Sequence, residues 1–435
     1  MPPGGLYWPF MRSAPDHLRH ELTGGARLLA APLPDRASAS LVLMLAVGSR
    51  FEEDRIGGAS HFIEHLLFKG TRRRPSAKEI AETIEGVGGV MNAYTDKELT
   101  AYWSRVPADR IELAIDLMFD MVSESRLAPE DVERERMVIL EELKMYLDQP
   151  QDYVHSLFDR LMWPGHPLGR DVIGTIESVS GTTREDLVRY VQGHYCLPNL
   201  VVGLSGAVDV EVTRTMIESR LTLPTSSDGR TYLPAPAPPA TPGVVLHRKD
   251  TEQAHICIGT RAVSYLDPER YTLDLLNTIL GEGMSSRLFL EIRERRGLAY
   301  DVHSYVSKHS DAGHFAVYMG VDPGKAAEAV RAVIDELHRI AEEPLGEAEL
   351  VKAREFTKGR LRLGLEGTNS LATWLCQQEL LTGEVKTVDE VVALYEAVTA
   401  EKVQSLAGRL LGQPLQMAVI GPFASDEPFR SAVGA

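Results

Sequence analysis

Two stretches of the chain repeat one pattern at a fixed distance. TREDLVRYVQGHY starts at Thr183 and leads into LVVGLSG, which ends at Gly206. TAEKVQSLAGRLL starts at Thr399 and leads into LQMAVIG, which ends at Gly421. The starts differ by 399 − 183 = 216 and the ends by 421 − 206 = 215. The strand-like runs around Leu41 and Ile256 are also 256 − 41 = 215 apart. Three anchors at one spacing and in one order indicate a duplicated unit of about half the chain. Between the copies lies TLPTSSDGRTYLPAPAPPATPG (222–243), whose six prolines favour a semi-extended linker. The division expected is therefore a first domain at 1–221, a linker at 222–243 and a homologous second domain at 244–435.

The 435 residues are too many for one ordinary domain, in agreement with that division. Hydrophobic content of 44% and charged content of 25% are those of a soluble globular protein. A net charge of −16 argues against a nucleic-acid partner and against binding to an anionic membrane. Cys196, Cys257 and Cys376 are far apart with no C-x-x-C, which fits a reducing compartment better than a disulfide framework. MPPGGLYWPFMRSAP lacks the apolar segment of a signal peptide, and no stretch reaches membrane-spanning length. The expected location is cytoplasmic.

Chemistry concentrates in GGASHFIEHLLFKGT (57–71), where His61, Glu64 and His65 form H-x-x-E-H. On a helix, residues four apart stand one turn over the other, so two imidazoles can share one metal ion. Glu64 lies beside the same face, where a general base could meet metal-activated water, the pairing used to hydrolyse peptides. The order inverts the commoner H-E-x-x-H and is the inverzincin signature. Against this stands the bland reading that helical histidine pairs also occur with no metal at all. Ser60 is the expected N-cap of this helix, which should end near Gly70.

Downstream, Ser76 caps a helix over AKEIAETIEGVGG, and VMNAYT (90–95) and LTAYWSRV (99–106) read as a hairpin turning at Asp96, Lys97 and Glu98. A helical pattern over 110–125 follows, and Pro129 then opens a long helix, PEDVERERMVILEELKMYL. Glu135 and Glu142 are two turns apart on one of its faces. For most glutamates here, Glu133 and Glu141 included, a solvated face is sufficient explanation.

Four stretches together carry a resemblance: GGASHFIEHLLFKGT, VGGVMNAYTDKELTAYWSRV, ERERMVILEELKMY and LGEGMSSRLFLEIRERRGLAYDVHSY. Over about residues 20–425 the chain resembles the pitrilysin-like inverzincin metallopeptidases, in the short-chain branch of mitochondrial processing peptidase and its bacterial relatives. The fold this implies is α+β: two homologous α/β-roll domains, each an antiparallel-rich sheet backed by helices. The resemblance implies one zinc ion per chain, held by His61, His65 and a glutamate separated from the second histidine by 76 intervening residues. That count ends at Glu142, with Glu141 its nearest rival. It implies Glu64 as general base and Glu135 as a supporting acid. Asn92 and Ala93 match a substrate-binding edge strand, to which an extended peptide adds by backbone hydrogen bonds. Arg293 and Tyr300 match a pair that contacts substrate and stabilises the oxyanion.

The activity implied is that of an endopeptidase on unfolded or short extended peptides within a closed chamber. Two chains would form it, Arg293 and Tyr300 of one serving the zinc of the other. The rivals are a non-catalytic assembly subunit of the same fold, and a processing enzyme dedicated to one peptide.

Overall fold

The computed structural model describes residues 17–226 and 231–435. The N-terminal stretch read above for a signal peptide falls wholly within 1–16. Those residues, and 227–230 of the linker, lie outside the described residues.

A six-stranded and a five-stranded sheet organise the chain. The first contains β1 (Leu18–Glu21), β2 (Arg27–Pro32), β3 (Ser38–Leu45), β4 (Val90–Thr95), β5 (Thr100–Pro107) and β6 (Leu200–Gly206), in the order β1-β2-β6-β3-β5-β4. The second contains β7 (Gly243–Arg248), β8 (Ala254–Ala262), β9 (Ala299–Lys308), β10 (Gly313–Val321) and β11 (Gln416–Gly421), in the order β7-β11-β8-β10-β9. Without β1 the two orders coincide. Each sheet has one parallel pair, β2 with β6 and β7 with β11, and its other pairings are antiparallel.

Even the register repeats. Leu41 pairs with Ser104, and Ile256 pairs with Met319. Both members are displaced by 256 − 41 = 319 − 104 = 215. The duplicated α/β rolls expected from the sequence are therefore present down to the ladder.

Five helices of the first half position the site: α1 (Ala59–Leu67), α2 (Ala77–Glu85), α3 (Ile111–Glu124), α4 (Pro129–Asp148) and α5 (Pro150–Met162). One face of the first sheet packs Leu41, Leu43, Leu45 and Tyr102 against Phe62 and Leu66 of α1 and Met118 and Phe119 of α3. Its other face packs Val42, Met44, Ala101 and Val201 against Leu371, Leu375 and Cys376 of the helix Thr368–Thr382, which belongs to the second half. The approach there is close: a Cβ at Gly203 would lie 2.6 Å from Cys376 Sγ and 2.8 Å from the Ala372 carbonyl oxygen. In return, Val154, Phe158 and Met162 of α5 cover Cys257, Ala316, Ala418 and Ile420 of the second sheet. Each half thus lends the other a helix. Burial of β3 on both faces is why SASLVLML is a nearly continuous apolar run rather than an alternating one.

A buried ion network adds to this interlock. Arg50, fully buried ahead of α1, donates to Glu98 Oε1 at 2.6 Å and to both oxygens of Asp311 at 2.7 and 2.9 Å. It also donates to the Leu233 carbonyl at 2.8 Å and lies over the Tyr232 ring. Glu98 accepts from the amide and hydroxyl of Ser310. One guanidinium therefore joins the β4–β5 turn, the linker and the β9–β10 turn. Arg50→Met leaves two carboxylates facing each other without their cation. The expected loss is about 3 kcal/mol in urea unfolding; a loss below about 1 kcal/mol would show that the network matters little.

Candidate metal centre

The loop before α1 determines where the histidines point. Gly58 adopts φ +94°, and a Cβ there would stand 2.6 Å from the Ile173 carbonyl oxygen, so the left-handed turn needs glycine. Ser60 is not the N-cap expected from the sequence. The helix begins at Ala59 with Gly58 at the cap position and no capping side chain of its own, so Ser60 sits in the first turn, its hydroxyl 2.9 Å from Tyr190 Oη. The cap comes from outside the helix. Buried Glu52 accepts from the Gly58 amide at 2.8 Å and the Ser60 amide at 2.7 Å, placing a carboxylate at the positive end of the helix. The helix also stops sooner than expected, at Leu67 rather than near Gly70, with the Phe68 amide closing on His65 and Leu66 carbonyls.

Within α1, Phe62, Ile63, Leu66 and Leu67 are buried in the core while His61, Glu64 and His65 occupy the half-buried opposite face. The imidazole centroids are 4.7 Å apart. The α4 helix packs on α1 through Val132 and Ile139, and this brings Glu142 over the pair. Glu142 Oε1 is 3.9 Å from His61 Nε2, and Oε2 is 3.6 Å from His65 Nε2. One donor atom from each of the three residues lies within 4.8 Å of the others. Tetrahedral zinc with bonds of about 2.0–2.1 Å places its ligands roughly 3.3 Å apart. The donor set N, N, O fits such an ion with small side-chain movements and leaves a fourth position open.

The neighbours of these groups differ in kind. Glu135 is buried and bridges His65 Nδ1 at 3.2 Å to Lys69 Nζ at 2.8 Å, so that Nδ1 carries the proton and Nε2 turns its lone pair toward Glu142. Glu141 points elsewhere, paired with Lys144 at 2.7 Å on the exposed face. Burial together with His65 pushes His61 down to about 4, so its ring stays neutral and ligand-ready at ordinary pH. Glu64 is raised by burial, against the pull of Thr95, whose hydroxyl donates to Glu64 Oε2 at 2.5 Å.

Two clefts flank the triad. One of about 460 Å³ lies between α1, α2 and β4, bounded by Glu64, His65, Phe68, Ile84 and Met91. The other, about 390 Å³, runs past Glu142 toward Lys97, His155, Asp159 and Asp171.

Asn92 and Ala93 lie on β4, an edge strand whose outer side has no neighbour in the sheet. The Asn92 side chain accepts the Ala93 amide at 2.8 Å. Arg293 and Tyr300 are brought together with each other, away from any bond to the triad. Arg293 donates to the Tyr300 carbonyl at 2.8 Å and stacks on its ring, and Tyr300 is 74% exposed on β9, the edge of the second sheet. Among the described residues, neither has a hydrogen bond, ion pair or ring contact with His61, Glu64, His65 or Glu142.

Sequence reading missed Glu52, Lys69 and Thr95. Only Lys69 left a signal, its spacing of four from His65 in the helix expected to run to near Gly70.

Comparison with known proteins follows the same lines. A family model described as Insulinase (Peptidase family M16) matches residues 28–176, and one described as Peptidase M16 inactive domain matches 182–356. The chain is 39% identical over 422 residues to an uncharacterized zinc protease of Streptomyces coelicolor, covering 95% of this chain and 91% of that one. It is 33% identical over 404 residues to the uncharacterized zinc protease YmxG of Bacillus subtilis, covering 93% and 98%. The fold matches a protease from Helicobacter pylori with a TM-score of 0.87 at 20% identity, over 94% of this chain and all of that one. It also matches a chain of Complex III2 from Candida albicans at 0.83 and 19% identity, over 96% and 99%. The fold and the histidine-bearing helix define an inverzincin-type α/β roll. The chain belongs to peptidase family M16.

Burial pushes Glu52 up to about 7, against the Ser60 and Gly58 amides that favour its charged form. An unfolded glutamate titrates near about 4.3. Between these values the folded chain keeps a proton that the unfolded chain has released, so this stabilisation is complete below about pH 4 and is lost as pH rises through 7. Glu52→Gln has no such proton. Relative to that variant, wild type should lose up to about 3 kcal/mol between about pH 5 and about pH 8 in urea unfolding. Parallel pH profiles for the two proteins would contradict this.

Proposed function

We propose that this chain is a zinc-dependent endopeptidase that hydrolyses unfolded or short extended peptides. The observation that carries the reading is the convergence of His61, His65 and Glu142 within 4.8 Å, with Glu64 beside them on α1. Zinc bound there supplies Lewis-acid polarisation of a carbonyl oxygen and a lowered pKa for water. Glu64 takes the proton from the attacking water and returns it to the leaving amine. Its raised affinity for a proton suits that double duty. Glu135 and Lys69 hold His65 in one tautomer and one orientation.

The free edge of β4 supports a substrate that lies as an added strand, Asn92 yielding the Ala93 amide to a peptide carbonyl. The clefts on either side of the triad then receive side chains flanking the scissile bond. Two chains close a chamber, in which Arg293 and Tyr300 of one meet the carbonyl being attacked at the zinc of the other. The exposure of Tyr300 supports a partner arriving from outside the chain. The names of the relatives support zinc and proteolysis. A scaffold role has less support, because the three donors and the base are all present.

The expected result is one zinc per chain in wild type and in Glu64→Gln, with cleavage of a quenched fluorescent peptide by wild type only. Absence of both zinc and hydrolysis after zinc is restored would remove the reading. The dimer is tested separately by mixing His61→Ala chains with Arg293→Ala chains. Each is expected to be inactive alone and the mixture active; a mixture as inactive as its components would rule out action across the interface.

A further inference from the structure

Glu64 has three side-chain torsions and sits half-buried at the wall of the cleft between α1, α2 and β4. Ordering such a side chain costs up to about 2 kcal/mol, so something has to hold it. Among the described residues, its hydrogen-bond partner is Thr95, whose hydroxyl donates to Oε2 at 2.5 Å, in the range of a charge-assisted O–H···O⁻ bond. The other oxygen, Oε1, keeps its lone pairs.

Thr95 is itself firmly placed. It is the last residue of β4 and pairs with Thr100 on β5. The turn that follows is bound to the loop ahead of α1: the Ser49 amide donates to the Asp96 carbonyl at 3.1 Å, and the Arg50 amide to the Lys97 carbonyl at 2.8 Å. Glu98, at the end of that turn, belongs to the buried Arg50 network. Thr95 therefore stands on a strand end pinned from both sides. That strand is also the edge along which an extended peptide would lie.

We infer that Thr95 is a positioning residue for the base: it ties Glu64 to the edge strand that fixes the substrate, leaving Oε1 to take the proton. The inference rests on the peptidase reading above. Its consequence is a fixed distance between base and peptide frame, because α1 carries the one and β4 the other, and the Thr95 hydroxyl joins them. Misplacement of a reacting group by about 1 Å can cost about 10²-fold in rate. Binding should not suffer, because the backbone of β4 that meets the peptide is unchanged.

Valine is β-branched and nearly isosteric with threonine, so Thr95→Val keeps the strand and removes the donor. In steady-state cleavage of a quenched fluorescent peptide by the zinc-loaded protein, Thr95→Val should lower kcat by about ten- to a hundredfold. KM should stay within about twofold. Thr95→Ser should restore most of kcat. Zinc content and Tm should match wild type throughout. The inference is overturned if Thr95→Val keeps wild-type kcat, if the loss falls on KM, or if serine fails to rescue. Wild-type protein with no activity dependent on Glu64 would remove the peptidase reading, and the role of Thr95 with it. An active wild type with an unaffected Thr95→Val removes the role of Thr95 alone.

Discussion

The packing of α1 on α4 is the contact on which the metal centre depends. The histidines come from one helix and Glu142 from the other, and no turn or loop joins them directly. What sets their distance is the burial of Phe62, Ile63 and Leu66 against a core that includes Val132 and Ile139. Arg136 of α4 also lies over the Phe62 ring at 5.5 Å. A carboxylate placed over two imidazoles by apolar packing is held by a close-packed interior, which resists deformation better than a surface loop does. The same packing buries Glu135, whose charge is balanced by Lys69 and by the His65 ring proton.

Around this contact the fold supplies three fixed references. Glu52 caps α1 from a separate segment of chain, so the helix cannot slide along its axis without losing two hydrogen bonds to a buried carboxylate. Arg50 fastens the β4–β5 turn to the linker and the second half. The exchanged helices, α5 onto the second sheet and Thr368–Thr382 onto the first, give each sheet a cover on both faces. Within one chain the halves are bound by a close-packed interface and a buried ion network, which opposes flexing of the linker.

The duplication explains both what is repeated and what is not. Strand order and register recur at 215 residues because a sheet fixes its partners through backbone bonds and alternating burial. The site does not recur. Adding 215 to His61 and His65 reaches Leu276 and Leu280, both buried in the core of the second half. At these positions the second copy carries apolar residues that fill its own core.

Sequence by itself determined the duplication, the strand and helix pattern, the H-x-x-E-H helix and the family. The first three reside in local periodicity or in residues at fixed spacing, and the family was reached by resemblance. It also drew attention to Glu135 and Glu142 as a two-turn pair, although the choice of Glu142 as a ligand came from resemblance. Tertiary structure decided which oxygen faces which imidazole. It also revealed that the cap of α1 is Glu52 rather than Ser60, that Thr95 holds Glu64, and that each half completes the core of the other. These are contacts between residues 6 to more than 300 positions apart, made by packing and by satisfaction of buried polar groups. Spacing along a chain carries no record of such contacts, because they exist only once the core has excluded water and every buried donor has had to find an acceptor.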